Sequence, residues 1–418
     1  MRTNIKSIEK SGVYQEYPND WIVAELGDLL KRIRNPVQVE PDRLYREIGI
    51  RSHGKGLFYK EPVKGSDLGN KSVFWIEEDC LIFNIVFAWE QAVAMTTAQE
   101  KGMIASHRFP MWQSKGEVDL NYLHKLLLTP LGKHLLELAS PGGAGRNKTL
   151  GQEEFNRISV CIPRSLEEQQ RIVELLSTWD KAIDLKKRLI TEKKMRKQWL
   201  LDNLLSGKHR LTGFEGKWEK TTLGKCCIGK ACYGLNAPAI GFSENLPRYI
   251  RITDIGYNGR YSKNSNVSVD HFESYKHLLD INDIVFARTG ASVGKSYLYD
   301  INDGVLVYAG FLIRFKVNEL IADPALIKNI CDTKQYWNWV NVMSSRSGQP
   351  GINAEEYASF SFHLPPLAEQ HAIARILVIA DREIRLDEEH LEEIKKQKRT
   401  LMQFLLAGVL RVNEQEMV

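Results

Sequence analysis

Apolar residues in this chain follow two alternating regimes. From Ser165, SLEEQQRIVELLSTWDKAIDL and the residues after it place Ile172, Leu176, Trp179, Ile183 and Ile190 at steps of four, three, four and seven. That is one stripe on a long helix, of the kind that seats against a second helix. Ser165 is a good N-cap, and Glu168 stands where a capping box would close. Gly207 supplies a stop, so the pattern predicts a helix over 166–206, about 60 Å long at 1.5 Å per residue. A second stripe opens after Pro365-Pro366 with PLAEQHAIARILVIADREIRL and closes at Gly408, predicting a helix over 367–407. Its apolar side is Ile373, Ile376, Ile379, Ile384, Leu391 and Ile394. Outside these segments the apolar runs are short and broken by Gly, Asn, Asp and Pro. VFWIEEDCLIFNIVF and DIVFARTGASVGKSYLY read as strands with tight turns. Residues 119–139 and 323–343 read as helices by their three- and four-residue apolar spacing.

The two helical stretches repeat one another. Leu166, Glu168, Gln169, Asp180 and Ile183 return as Leu367, Glu369, Gln370, Asp381 and Ile384, all at an offset of 201 in a chain of 418 residues. Leu205-Ser206-Gly207 with Arg210 returns at the same offset as Leu406-Ala407-Gly408 with Arg411. Upstream, Trp21, Leu26 and Gly27 match Trp218, Leu223 and Gly224; Ile48-Gly49-Ile50 matches Ile250-Arg251-Ile252, and GAGRN at 143–147 matches GQPGIN at 348–353. Offsets in these outer parts drift, as loop insertions would cause. The predicted organisation is module 1–163, helix 164–211, module 212–365, helix and tail 366–418. Each module is a mixed domain, a twisted sheet or partial barrel with a few helices. Neither stripe is stable exposed to water, so the two helices are expected to pack on each other. An antiparallel pair would hold the modules at opposite ends of a rod. A parallel pair would require the second module to return the full length of the first helix.

Composition narrows the class. With 43% hydrophobic and 26% charged residues the chain reads as soluble and globular, and no apolar run approaches a membrane span. The opening MRTNIKSIEKSGVYQEYP lacks the apolar centre of a signal peptide, which makes the cytoplasm the expected location. Six cysteines are scattered; Cys226, Cys227 and Cys232 cluster without the paired spacing of a zinc site, and no bound metal is expected. The net charge of +5 permits a nucleic-acid partner without demanding one. Local charge says more: between Asp184 and Arg210 there are nine Lys or Arg and three Asp or Glu.

Two similar but unequal modules on a helical ruler suit a bipartite target. On B-form DNA, with a turn of about 34–36 Å, they would read two short unequal half-sites around an unread gap. Here the residues resemble a known family. IPRSLEEQQRIVELLSTWDKAI and LPPLAEQHAIARILVIADREI, each followed by a long helix closing in LLSG or LLAG, are similar to the conserved helices of Type I restriction–modification DNA specificity subunits. WIVAELGDL and WEKTTLGK resemble that family's module openings, and DIVFARTGASVGKSYL resembles a recurrent strand–turn–strand of its recognition domains. The first module departs from this, with DCLIFNIVFAWEQAVAM and no Arg-Thr-Gly turn. The resemblance implies an α+β fold of two mixed α/β target-recognition domains separated by two long helices forming an antiparallel coiled coil. It implies a non-catalytic reader of double-stranded DNA. Two modification subunits would bring S-adenosylmethionine and adenine methylation; two restriction subunits would bring ATP, Mg, translocation and cleavage. The chain itself has no GxxxxGK[ST] phosphate loop and no Asn-Pro-Pro-Phe-like motif. GGAGRN lacks the lysine and the strand–helix setting of a phosphate loop and reads as a loop.

Lys and Arg at phosphates should give affinity, and side chains at base edges discrimination. In the first module the candidates are Arg51, His53, Lys55, Arg108, Arg146, Asn147 and Lys148. In the second they are Tyr257, Asn258, Arg260, Arg288, Thr289, Ser292, Lys295, Arg346, Gln349 and Asn353, with Arg288 and Arg346 ranked first because each sits at a Gly-bearing turn. The run KKRLITEKKMRK supplies Lys186, Lys187, Arg188, Lys193, Lys194, Arg196 and Lys197. It reads either as facing spacer DNA or as the solvated side of a coiled coil. Gln169 and Gln370 read as residues that fix each helix start against its own module. The same symmetry also fits a protein-binding adaptor, and an enzyme with methyltransferase or nuclease chemistry in one module is a third class.

Overall fold

The computed structural model describes residues 17–69, 71–143, 148–262, 266–345 and 350–412. The candidates Arg146, Asn147, Arg346 and Gln349 lie outside the described residues. The chain divides into two compact units, 1–185 with 391–418, and 186–390. The division cuts both long helices, so each unit holds one module and about half of each helix.

The two modules share a sheet plan. In the first unit Trp21–Glu25 pairs antiparallel with Ser159–Pro163, joining the module's first and last strands just before the long helix begins. In the second unit Glu219–Thr222 pairs with Ser361–Leu364 in the same way. Each module also has a four-stranded antiparallel sheet. Its order is Leu30–Ile33, Met111–Ser114, Leu81–Phe83, Val93–Met95 in the first unit. In the second it is Cys227–Tyr233, Leu312–Val317, Asp283–Ala287, Ser296–Leu298. Leu81-Ile82-Phe83 and the five residues 283–287 are fully buried, which explains why they read as unbroken apolar runs rather than alternating strands. The helices expected over 119–139 and 323–343 are each broken in two: Leu120–Leu127 and Pro130–Leu138, then Pro324–Ile330 and Lys334–Ser344. Thr129 and Thr333 cap the second helix of each pair with a side-chain bond to a backbone N–H, and that capping breaks a periodicity that otherwise runs on.

The long helices run Leu166–Leu204 and Leu367–Leu406. Gly207 and Gly408 stand at φ +70 beyond their ends, the left-handed stop that glycine accommodates. The expected capping box does not close. Ser165 Oγ accepts from the Glu168 N–H at 3.4 Å, but the Glu168 carboxylate turns instead to Arg411. Gln169 fixes the helix start, as expected. Its Oε1 accepts from the Asp119 N–H at 2.7 Å, and its Nε2 donates to Pro163 O at 2.8 Å and Glu117 O at 3.3 Å. Gln370 repeats this with Asp323 N–H, Pro365 O and Ile321 O at 2.9, 2.9 and 3.1 Å. Asp119 and Asp323 are themselves the N-caps of module helices, so each glutamine ties a long helix to the start of a short one.

Within each unit the helix segments run antiparallel. In the first, partners descend from Arg411 to Lys398 as the first helix rises from Glu168 to Asp180. In the second, Lys186, Lys193 and Lys197 meet Asp387, Glu383 and Asp381. Ile172 and Leu176 join Leu405 and Leu406 in the first module's core; Leu201 and Leu204 join Ile373 and Leu377 in the second's. Ile183, Ile190, Ile384 and Leu391 are buried as expected, while Trp179, Ile376 and Ile394 are half-buried. Ile379 is a correction: it is 50% exposed, and Leu377, buried completely, takes the seam. A step of seven from Leu377 through Ile384 to Leu391 is the true register.

The basic run is corrected as well. Lys186, Lys193 and Lys197 point into the seam rather than toward a gap or solvent. Asp387 takes Lys186 at 2.6 Å and Lys193 at 2.8 Å, and these bonds, Lys186 first, hold its carboxyl below the usual range. Lys194 reaches Glu388 at 2.7 Å. Lys186 and Asp387 are equivalent positions of the repeat, and an antiparallel pair lets equivalent residues touch at only one level.

Two outcomes are expected. Gln370→Ala strands one buried donor and two acceptors and should cost about 2–4 kcal/mol, read as a lower denaturant midpoint. Asp387 has a depressed folded pKa, so its contribution is present at neutral pH and lost as pH falls through that value. Asp387→Asn should lower the midpoint at pH 7 by an equivalent of about 1–2 kcal/mol. The gap to wild type should close on acidification below the ordinary carboxylate range; a gap that stays constant would count against this role.

Candidate nucleic-acid interface

In the first unit the structure gathers the described candidates around one turn, residues 85–91. RSHGKG is the tip of a hairpin between Ile48–Ile50 and Leu57–Tyr59. His53 and Gly54 both take positive φ, 61 and 63, and their N–H groups donate to Glu90 O at 2.7 Å and Gln91 O at 3.0 Å. A β-carbon at Gly54 would lie 2.6 Å from Leu128, so this approach needs glycine. Ser52 Oγ donates to Glu90 at 2.8 Å, and Gln91 anchors the turn by donating to the carbonyls of Leu127 and Thr129 at 2.9 and 3.0 Å. Lys148 lies over the Trp89 ring at 5.1 Å. Arg51 lies over Phe58 at 5.0 Å and donates to Leu57 O at 2.8 Å. His53, Lys55 and Arg108 are exposed, and the Arg108 carbonyl accepts from the Ile85 N–H at 3.0 Å. One corner therefore carries hairpin, turn and strand end, with cations laid on aromatic faces.

In the second unit the candidates separate. Arg288 and Thr289 leave the end of Asp283–Ala287; Arg288 stacks on Tyr233 at 4.9 Å, and Thr289 bridges Gly351. Gly290 turns at φ +69 next to half-buried Ser292, and Gly294, at φ +87, packs under Val340 and Trp337. Lys295 lies 4.0 Å over Tyr257, a ring 83% exposed, and donates to Ile255 O at 3.1 Å. Asn258 Oδ1 accepts from the Arg260 N–H at 3.2 Å, shaping the turn that presents Tyr257. Arg260 turns away from any such surface: its guanidinium donates to Glu388 at 3.2 Å and to Asp381 O at 3.1 Å on the second long helix. Asn353 caps the helix Ala354–Ser359 in a capping box with Glu356. Of the basic run, Lys187, Arg188 and Arg196 remain on the exposed side. Trp89, Gln91 and Tyr233 escaped the sequence reading. For the first two the signal was register: by the matched backbone bonds of Ile85 and Arg288, Ile85-Val86-Phe87 stands in the place of Arg-Thr-Gly and FAWEQ in that of residues 290–294, without sharing residues.

Among the described residues no group of His, Cys, Asp and Glu is placed to hold a metal ion. No helix there is long and apolar enough to cross a membrane. The fold defines a duplicated pair of mixed domains on two long helices, with its cationic, aromatic-lined surfaces on the modules. A family model described as the Type I restriction modification DNA specificity domain matches residues 18–193 and again 216–396. The chain belongs to that family. It is 24% identical over 416 residues to the Type I restriction enzyme MjaVIII specificity subunit of Methanocaldococcus jannaschii, covering 94% of both chains. It is 29% identical over 252 residues to the StySPI specificity subunit of Salmonella potsdam, covering 56% of this chain and 52% of that one. Among solved structures it resembles the Type-I restriction-modification system S subunit from M. genitalium, with a TM-score of 0.58, 13% identity and coverage of 93% and 97%. A chain solved in work on complex assembly and conformational transition of the type I R-M system also gives 0.58, at 16% identity and coverage of 94% and 99%.

Asn353 and Arg288 are separable on this geometry. Asn353→Ala should cost about 1 kcal/mol through the lost cap and leave duplex affinity within about twofold. Thermal unfolding beside a gel shift of the full chain checks this; a large affinity loss without destabilisation would move Asn353 back to the interface.

Proposed function

We propose that this chain reads a split double-stranded DNA target, one part per module, and directs adenine methylation and cleavage by partner subunits. The observation that carries this is the duplicated sheet whose strand ends hold different side chains: Ile85 and Arg108 in one unit, Arg288 and Phe311 in the other. A shared scaffold with unlike reading residues is what two unequal half-sites require. Arg and Lys held on aromatic faces supply cations for phosphates and base edges with little further ordering. The chain itself is non-catalytic. Two modification subunits would carry S-adenosylmethionine, and two restriction subunits would carry ATP and Mg, in the cytoplasm. Arg51, Lys55, Arg108, Lys148, Arg288 and Lys295 are the contacts favoured by placement.

Co-producing the chain with its modification subunit and mapping methylated adenines across a genome tests the reading. The expected result is one sequence split by a fixed unread gap. A continuous target, or methylation without sequence preference, would overturn it.

A further inference from the structure

The two units carry the same strand-end corner with its basic and apolar residues exchanged. In the first, the Ile85 N–H donates to Arg108 O at 3.0 Å and the Leu150 N–H to Ile85 O at 2.9 Å. In the second, the Arg288 N–H donates to Phe311 O at 3.0 Å and the Ile352 N–H to Arg288 O at 2.9 Å. Ile85 therefore stands where Arg288 stands, and Arg108 where Phe311 stands. Phe311 is 58% exposed and Arg108 is exposed.

Most nearby arginines are spoken for. Arg260 is bound to Glu388, Arg251 to Asp254, and Arg314 lies 3.6 Å from Asp283. Among the described residues nothing accepts a hydrogen bond from the Arg288 or Arg108 guanidinium. Arg288 is nonetheless not loose. Its backbone is held on both sides, and its guanidinium lies 4.9 Å over Tyr233, whose hydroxyl accepts from the Ala354 N–H at 3.2 Å. A planar fork held in place with its donors unused fits a paired acceptor of fixed geometry.

We propose that Arg288 is a specificity-determining residue that takes the O6 and N7 acceptors of a guanine in the half-site read by the second unit, and that Arg108 makes the corresponding contact at the exchanged position in the first. This rests on the DNA-reading function proposed above. Guanine's two major-groove acceptors match the fork, and losing such a pair costs discrimination of roughly 5- to 150-fold. Phe311, beside Arg288, is an apolar surface of the kind that meets a thymine methyl.

The test selects bound DNA from a randomised duplex pool, using the full chain assembled with its modification subunit. Wild type should enrich a split motif; no motif at all would overturn the DNA-reading function itself. Arg288→Gln should change the preference at one position of one half-site, from guanine toward adenine, and leave the other half intact, which also shows that the variant folds. Arg288→Lys should weaken the guanine preference despite keeping its charge, because the ammonium lacks the planar fork. If Arg288→Gln weakens all sequences equally with a shallower salt dependence, the contact is a phosphate and the proposal fails. An unchanged motif in both variants likewise overturns it. Arg108→Gln should alter only the opposite half-site.

Discussion

A buried carboxylate at the start of each long helix organises the structure. Glu369 has no exposed surface and pairs with Arg210, which reaches it with Nε and Nη2 at 3.0 and 2.5 Å, while Trp218 Nε1 donates at 3.2 Å. Glu168, 7% exposed, takes Arg411 Nε and Nη2 at 2.6 and 2.9 Å, and Arg411 also holds Asp20. The Asp20 bonds first, and then those to Glu168, hold the Arg411 guanidinium well above its ordinary pKa. In each unit the arginine lies just past the end of one helix and the carboxylate opens the other. A slip of either helix by one turn would leave a charge buried and unpaired, a penalty of several kcal/mol. The clamp fixes antiparallel register better than apolar contacts do, because leucines tolerate sliding and a bidentate ion pair does not.

The seam between the clamps uses the same logic. Lys186, Lys193 and Lys197 occupy positions where a simple coiled coil would place leucine, and they meet Asp387, Glu383 and Asp381. Polar residues in a helix seam select one register and one partner at some cost in stability. Composition could not reveal this. A run of seven Lys or Arg in twelve residues reads as surface, and only the acids of the second long helix, at matching levels, turn it into a seam. Acids and bases of one network can lie on opposite sides of the whole chain.

Legibility therefore followed repetition. Glu168, Gln169, Arg210, Trp218 and their mates were visible as matched positions, and their roles turn out to be structural: they close the helix starts and hold each module there. The modules themselves were legible only as mixed domains. Short strands buried on both faces lose the alternation that marks a strand, and Thr129 and Thr333 interrupt helices whose periodicity runs on. The site residues were legible in kind but not in placement. Arg260 and Arg288 look alike in sequence; one is bound to a helix and the other is held with its donors unused. No local pattern separates them, because the difference lies in whether an acceptor arrives from elsewhere in the fold.

The same division explains how a reader of this design can change its target without rebuilding itself. The backbone bonds at the corner, Ile85 to Arg108 and Arg288 to Phe311, are made by N–H and carbonyl groups that any non-proline residue supplies. Arg108 and Phe311 are exposed there and Ile85 packs at the edge of its core, so exchanging an arginine for an isoleucine strands no buried partner. The glycines, caps and clamps that set the scaffold lie at other positions: Gly54 and Gly294 under tight contacts, Gln169 and Gln370 in three bonds each, Glu369 against its arginine. Substitution at the first set alters what is read, and substitution at the second alters whether the chain folds. Two copies carrying opposite residues at one equivalent corner are the expected outcome of keeping those sets apart.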